Sequence, residues 1–153
     1  MCGFTGIINF NGESIDHFPI DLMTDSIKHR GPDDFGFFDS NEVRLGFRRL
    51  SIIDIANGHQ PMSSKDDRYT IVFNGEIYNF KNLREDLTEK GIKFKSDGEA
   101  EVLLNGFIYY GDDFIEKIRG MFSICIWDRI RQKLTSFRDR FGQKPLFYLK
   151  TTN

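Results

Sequence analysis

Cysteine is scarce in this chain: two in 153 residues, Cys2 and Cys125. Two such thiols make neither a disulfide framework nor a metal cluster, and a reducing, cytoplasmic setting is the default. No HEXXH pattern or other metal-ligand spacing links His17, His29 and His59, so no metal is expected. A charge excess of one sign is also missing, since the net charge is −2. That gives no basic footprint for nucleic acid and no polybasic patch for a membrane surface. Apolar runs stay well short of the roughly 18 residues a membrane span needs. A charged n-region followed by an apolar h-region is absent at the N-terminus, so no signal peptide is visible. Linkers, repeats, low-complexity stretches and a Gly-rich phosphate loop are absent too.

What is there suits one soluble domain over residues 1–153. The hydrophobic fraction is 39% and the charged fraction 29%, and the length allows a real core. Sixteen phenylalanines predict an aromatic-rich interior. GFTGIINFNGE reads as a strand closed by an Asn-Gly turn. Ile20, Met23 and Ile27 recur at helical spacing behind Pro19, and that helix ends near HRGPDD. FGFFDSNEVRLGF reads as two strands joined by DSNE, and RRLSIID as a further extended run. YTIVF is a strand that the Asn74-Gly75 pair turns into a tight hairpin. Asn79 caps a helix over FKNLREDLTEK, with Leu83 and Leu87 inward and Gly91 at its end. Ser96 or Asp97 caps a second helix, EAEVLLNGFIYY, ended by Gly111. MFSICIW, KLTSFRD and PLFYL are strand-like, with Asp128 to Lys133 joining the first two. Helices and strands in separate blocks argue for an α+β fold. MFSICIW is apolar on both faces, which predicts a strand covered on both sides.

Several short stretches could carry chemistry. If Met1 is removed, Cys2 carries a free α-amine whose pKa is about 7.7–8.0, and the thiol gains a base within its own residue. Taken alone, Cys2 reads first as a chance thiol in the first strand. FNGEIYN offers the Asn74 amide and the Gly75 N–H as donors to an oxyanion, with Glu76 beside them for an ammonium. In RRLSIID, Arg48 and Arg49 read as surface charge or as a carboxylate clamp. SFRDRFGQKP reads as an ion-paired bend around Arg138, Asp139 and Arg140. Cys125 reads as an inert core thiol.

Together MCGFTG, HRGPDD, RLSIID, GHQP, FNGEIYN, GMFSICIWD and RDRFGQKPLFY resemble the glutamine-hydrolysing domain of asparagine synthetases. That domain is a class II glutamine amidotransferase, an N-terminal-nucleophile hydrolase. The resemblance runs from Cys2 to about Leu149, in the family's order and at about its spacing. It implies a four-layer αββα sandwich of two mainly antiparallel sheets. It implies Cys2 as nucleophile after loss of Met1, Arg49 as clamp for the glutamine α-carboxylate, and Asn74 and Gly75 as oxyanion hole. Leu50 and Ile52 match a substrate-binding stretch that acts partly through backbone atoms. Glu76 matches a ligand of the substrate's polar end. The family's ammonium-binding Asp falls on Glu99 in FKSDGEAEVLL when spacing from Phe94 is kept; Asp97 requires a two-residue insertion.

The activity so implied is release of ammonia from glutamine through a Cys2 thioester. Ammonia would pass to a synthetase domain or subunit, with aspartate or another acceptor. No cofactor is expected in this domain; ATP and magnesium belong to a synthetase domain absent from this chain. Partnership with a second copy in a homodimer is open. The competing expectation is a weakly active regulatory or scaffolding module that keeps the fold.

Overall fold

A computed structural model describes residues 2–12, 14–51 and 58–151. Its elements in chain order are β1 (Gly3–Ile8), α1 (Ile20–Ser26), β2 (Asp34–Asp39), β3 (Val43–Arg49), β4 (Met62–Ser63), β5 (Tyr69–Ile77), α2 (Phe80–Glu89), α3 (Glu99–Tyr110), α4 (Phe114–Lys117), β6 (Gly120–Asp128) and β7 (Lys133–Arg138). The strands form a three-stranded sheet in the order β1-β3-β2 and a four-stranded sheet in the order β4-β5-β6-β7. All named strand pairs are antiparallel.

Strand alternation builds the layers. On β3, Val43, Leu45 and Phe47 face Val72, Cys125 and Trp127 of the other sheet, and this is the inter-sheet core. On β5 and β6 the alternate residues, Ile71, Phe73, Phe122, Ile124 and Ile126, face a second core. Leu83 and Leu87 of α2 and Val102, Leu103, Leu104 and Phe107 of α3 complete it. On the outer face of the small sheet, Thr24 of α1 donates its hydroxyl to Ile20 O at 2.7 Å and meets the Thr5 hydroxyl at 2.8 Å. The result is α1, small sheet, large sheet, then α2 and α3: the αββα sandwich. Each fully buried Leu or Ile on these faces stabilises the fold by roughly 1.5–3 kcal/mol.

Five local expectations are corrected. Asn74-Gly75 makes no hairpin: β5 runs on to Ile77, because β6 offers an uninterrupted partner from Asp128 back to Gly120. Met23 is exposed, and Thr24 takes the inward position four residues after Ile20. PLFYL is not in a strand; no described strand pairs with it, and Phe147, Tyr148 and Leu149 are exposed. Gly98, not Ser96 or Asp97, is the N-cap of α3. Glu101 instead reaches back to accept the Ser96 N–H at 2.7 Å and the Lys95 N–H at 2.9 Å. Around Asp139 there is a bend, but its carboxylate is satisfied by backbone: N–H groups of Phe122, Phe141, Gln143 and Lys144 donate to it at 2.9–3.2 Å. Those four bonds hold its pKa below the ordinary value against the opposing effect of burial.

Asn79 does stand at the N-cap of α2, although its side chain does not cap. It accepts the Arg119 N–H and donates to Lys117 O, both at 2.9 Å, fixing the entry to β6.

Candidate functional site

At one end of the inter-sheet layer the apolar rows give way to a cleft of about 140 Å³. Cys2, Arg49, Leu50, Asn74, Glu76 and Glu99 line it, and so do Gly75, Gln60, Met121 and Lys144. The seven described residues singled out in the sequence therefore meet in one place. The eighth, Ile52, lies outside the described residues, as does Met1.

Strand parity explains how they meet. Cys2 precedes β1 and packs with Phe4 and Ile8 on the inter-sheet core, so its side chain shares their face. Its Sγ accepts the Leu50 N–H at 3.4 Å and donates to Leu50 O at 3.7 Å. Arg30 Nε donates to Cys2 O at 3.2 Å, pinning the backbone beside the thiol. Arg49 shares parity with Val43, Leu45 and Phe47, which turns it into the cleft. Arg48 points the opposite way: it pairs with Asp25 of α1 and lies over the Phe35 ring, 4.9 Å from its centroid. The alternation thus sends one of two adjacent arginines to α1 and the other to the cleft lining. Cys125 is buried, beside the Ser136 hydroxyl at 3.2 Å, and burial pushes its thiol up to about 11.

The edge of β5 supplies the next element. β4 pairs with Thr70 and Ile71, and beyond them β5 has a side that no strand among the described residues pairs. Phe122 turns both its N–H and its C=O toward Asp139, away from β5. Its register partner Gly75 therefore directs its own N–H to that open side. Two residues earlier, the Phe73 N–H donates to Gln60 Oε1 at 2.7 Å. Two residues later, the Ile77 N–H donates to Glu99 Oε1, also at 2.7 Å. The N–H of Gly75 lies between these two satisfied donors and faces the cleft. Asn74, of opposite parity, presents its carboxamide to the same cleft.

Glu99 opens α3 and is raised to about 7 by burial, with the Ile77 N–H opposing and the nearby Glu76 charge adding to the rise. Asp97 is solvent-exposed and sits 3.4 Å from Arg84, outside the cleft lining. Gln60, Arg30 and Lys144 are the contributors that motif reading passed over. GHQP, HRGPDD and RDRFGQKPLFY contain all three, but only the fold shows where they sit. Among the described residues, no group of three or more His, Cys, Asp or Glu side chains could hold a metal, and no helix is long and apolar enough to cross a membrane.

This arrangement can do nucleophilic acyl chemistry: a thiol, two convergent N–H donors, a cation and two carboxylates around one small volume. The chain is similar to several known proteins. Asparagine synthetase (glutamine-hydrolyzing) 1 of Bacillus subtilis is 47% identical over 151 residues, which cover 97% of this chain and 24% of that protein. A putative asparagine synthetase (glutamine-hydrolyzing) of Mycobacterium tuberculosis is 45% identical over 131 residues, 79% of this chain and 20% of that one. A solved structure of glutamine phosphoribosylpyrophosphate amidotransferase from B. subtilis overlays 58% of this chain and 22% of its own at a TM-score of 0.47, with 19% identity. The chain thus spans a quarter or less of the length of these curated relatives. The family model described as a glutamine amidotransferase domain matches residues 1–153, and the chain belongs to that family.

Proposed function

We propose that the domain hydrolyses the side-chain amide of free glutamine through a thioester on Cys2 and supplies the ammonia to a synthetase domain or subunit. The observation that carries this is the meeting of the Cys2 thiol with the Gly75 N–H, the Asn74 amide and Arg49 in one cleft.

Loss of Met1 frees the Cys2 α-amine. That amine takes the thiol proton as Sγ attacks the amide carbon, directly or through a water. The C=O pair moves onto oxygen, where the Gly75 N–H and Asn74 Nδ2 donate to it. Collapse of this tetrahedral species breaks the C–N bond, and the α-ammonium returns its proton to the departing nitrogen. Water then attacks the γ-glutamyl thioester by the same route, giving glutamate and restoring the thiol. The Leu50 N–H already donates to Sγ at 3.4 Å.

Arg49 receives the substrate α-carboxylate. Glu99 and Glu76 receive the α-ammonium, so free glutamine is selected over a glutamine within a peptide. Leu50 acts through its backbone, and Ile52 belongs to the same stretch. This chemistry needs water and residues of this chain; ATP and magnesium are assigned to the synthetase part. Aspartate is the acceptor this reading assigns, because the relatives are asparagine synthetases.

The test is glutamate release from glutamine by the processed chain against Cys2→Ala, with intact mass reporting loss of Met1. Hydrolysis should vanish in Cys2→Ala; equal rates would remove the proposal. Processed chain with an intact fold but no turnover would favour the scaffolding reading instead.

A further inference from the structure

The Ser123 hydroxyl is 1% exposed by residue and has no hydrogen-bond partner. A buried, unpaired hydroxyl costs roughly 1–3 kcal/mol, so its position asks for a reason. Ser123 stands directly opposite Asn74 in the β5–β6 register. It has the same parity as Cys125 and Trp127, so it faces the inter-sheet layer on which Asn74 presents its amide. Directly opposed side chains on one face have Cβ atoms about 4.5–5.5 Å apart, within reach of a hydroxyl-to-amide hydrogen bond.

The same sheet shows that such rows do bond. Cys125 and Ser136 are register partners with Sγ and Oγ 3.2 Å apart. Ser63 and Thr70 are register partners with hydroxyls 3.0 Å apart. On the other side of Ser123, Arg138 is already engaged, donating to Lys144 O at 2.8 Å and Gly142 O at 2.7 Å. Asn74 is thus the polar neighbour left to Ser123 across the register.

We propose that Ser123 is a positioning residue for Asn74. Its hydroxyl donates to Asn74 Oδ1 as the oxyanion forms, which orients Nδ2 toward the reacting centre. A carboxamide turned by half a revolution would offer its oxygen to the oxyanion and repel it. The alignment therefore matters in the transition state and not in glutamine binding. The inference rests on the oxyanion role proposed for Asn74.

A double-mutant cycle with glutamine hydrolysis separates the two. Ser123→Ala should lower kcat about tenfold, leave KM within twofold and leave the melting temperature unchanged or higher. In an Asn74→Ala background, the same change should have no further effect on single-turnover rate. Ser123→Thr, which keeps the hydroxyl, should recover most of the lost kcat. An unchanged kcat in Ser123→Ala, or an equal loss in the Asn74→Ala background, overturns the positioning role while leaving the oxyanion hole standing. Full activity of Asn74→Ala overturns both.

Discussion

Gly75 allows the sharpest test of the site, because one methyl group should disturb stability and chemistry together. A Cβ there would lie 2.1 Å from Met121 O and 2.7 Å from Phe122 Cα. Both are backbone atoms of β6, so no side-chain rotation relieves the contact. Ordinary carbon contacts begin near 3.4 Å, so β5 and β6 must part by more than an ångström. β6 cannot retreat freely, since β7 pairs its far side and Asp139 holds both the N–H and C=O of Phe122. The cost of Gly75→Ala therefore sits at the upper end of overpacking, about 3 kcal/mol. For a domain of this size that is a fall in melting temperature of about 6–12 °C. The same displacement carries the Gly75 N–H away from its place between Gln60 and Glu99. Loss of one such donor lowers kcat about a hundredfold. Thermal melts by circular dichroism, with glutamine hydrolysis assayed well below both melting temperatures, read the two effects separately. Gly91→Ala is the control: Gly91 has φ +87° and nothing within 4 Å of its would-be Cβ, so it should lose about 1 kcal/mol to backbone strain with kcat unchanged. A Gly75→Ala chain that melts within 2 °C of wild type, or keeps its kcat, would refute this reasoning.

Other outcomes follow from the same geometry. The raised Glu99 pKa, about 7 against an ordinary 4.5, means its contribution to stability is full below about pH 4.5 and is lost as pH rises through 7. Chemical denaturation of Glu99→Gln from pH 5 to 8 should show that slope flattened. The same variant should lose the fall in KM for glutamine expected as pH rises through 7 and Glu99 ionises. Asp139→Asn turns an NH₂ toward two of the four backbone donors it serves. It should cost about 3 kcal/mol in urea unfolding, and a cost near zero would show those bonds to be idle. Arg49→Lys loses a bidentate fork while keeping the charge, so KM should rise about tenfold with kcat nearly kept; a fall in kcat alone would contradict a ground-state clamp.

Much of the architecture was legible because period-two patterns survive folding. MFSICIW, apolar on both faces, is indeed buried on both, between the inter-sheet core and α3. VRLGFRR sends its adjacent Arg48 and Arg49 to opposite faces by parity alone. Leu83, Leu87, Gly91 and Gly111 mark α2 and α3 as read. Errors arose where one local signal has two physical causes. Asn-Gly signals a tight turn when both residues need positive φ. The same pair serves inside a strand when a neighbouring backbone comes too close for a side chain. Only the partner strand tells these apart, and its residues in register with the pair, Ser123 and Phe122, lie far downstream in β6. PLFYL has the composition of a strand, but strand formation needs an edge to pair with, and composition carries no information about that.

The proposed oxyanion donor shows why a motif can name a residue without explaining it. A glycine N–H becomes a donor to a ligand only if the sheet leaves it unspent. Here β4 is two residues long, so β5 is bare from Phe73 onward. Buried N–H groups left bare are costly, and the chain covers two of the three: Gln60 takes that of Phe73 and Glu99 that of Ile77. The third falls at Gly75, where the absence of a side chain also lets β6 close up behind it. A β4 that began four residues earlier, at Gly58, would come into register with Gly75 and abolish the donor with every motif intact. The chemistry proposed for FNGE therefore rests on a strand that begins no earlier than Met62 and on two side chains borrowed from a loop and a helix.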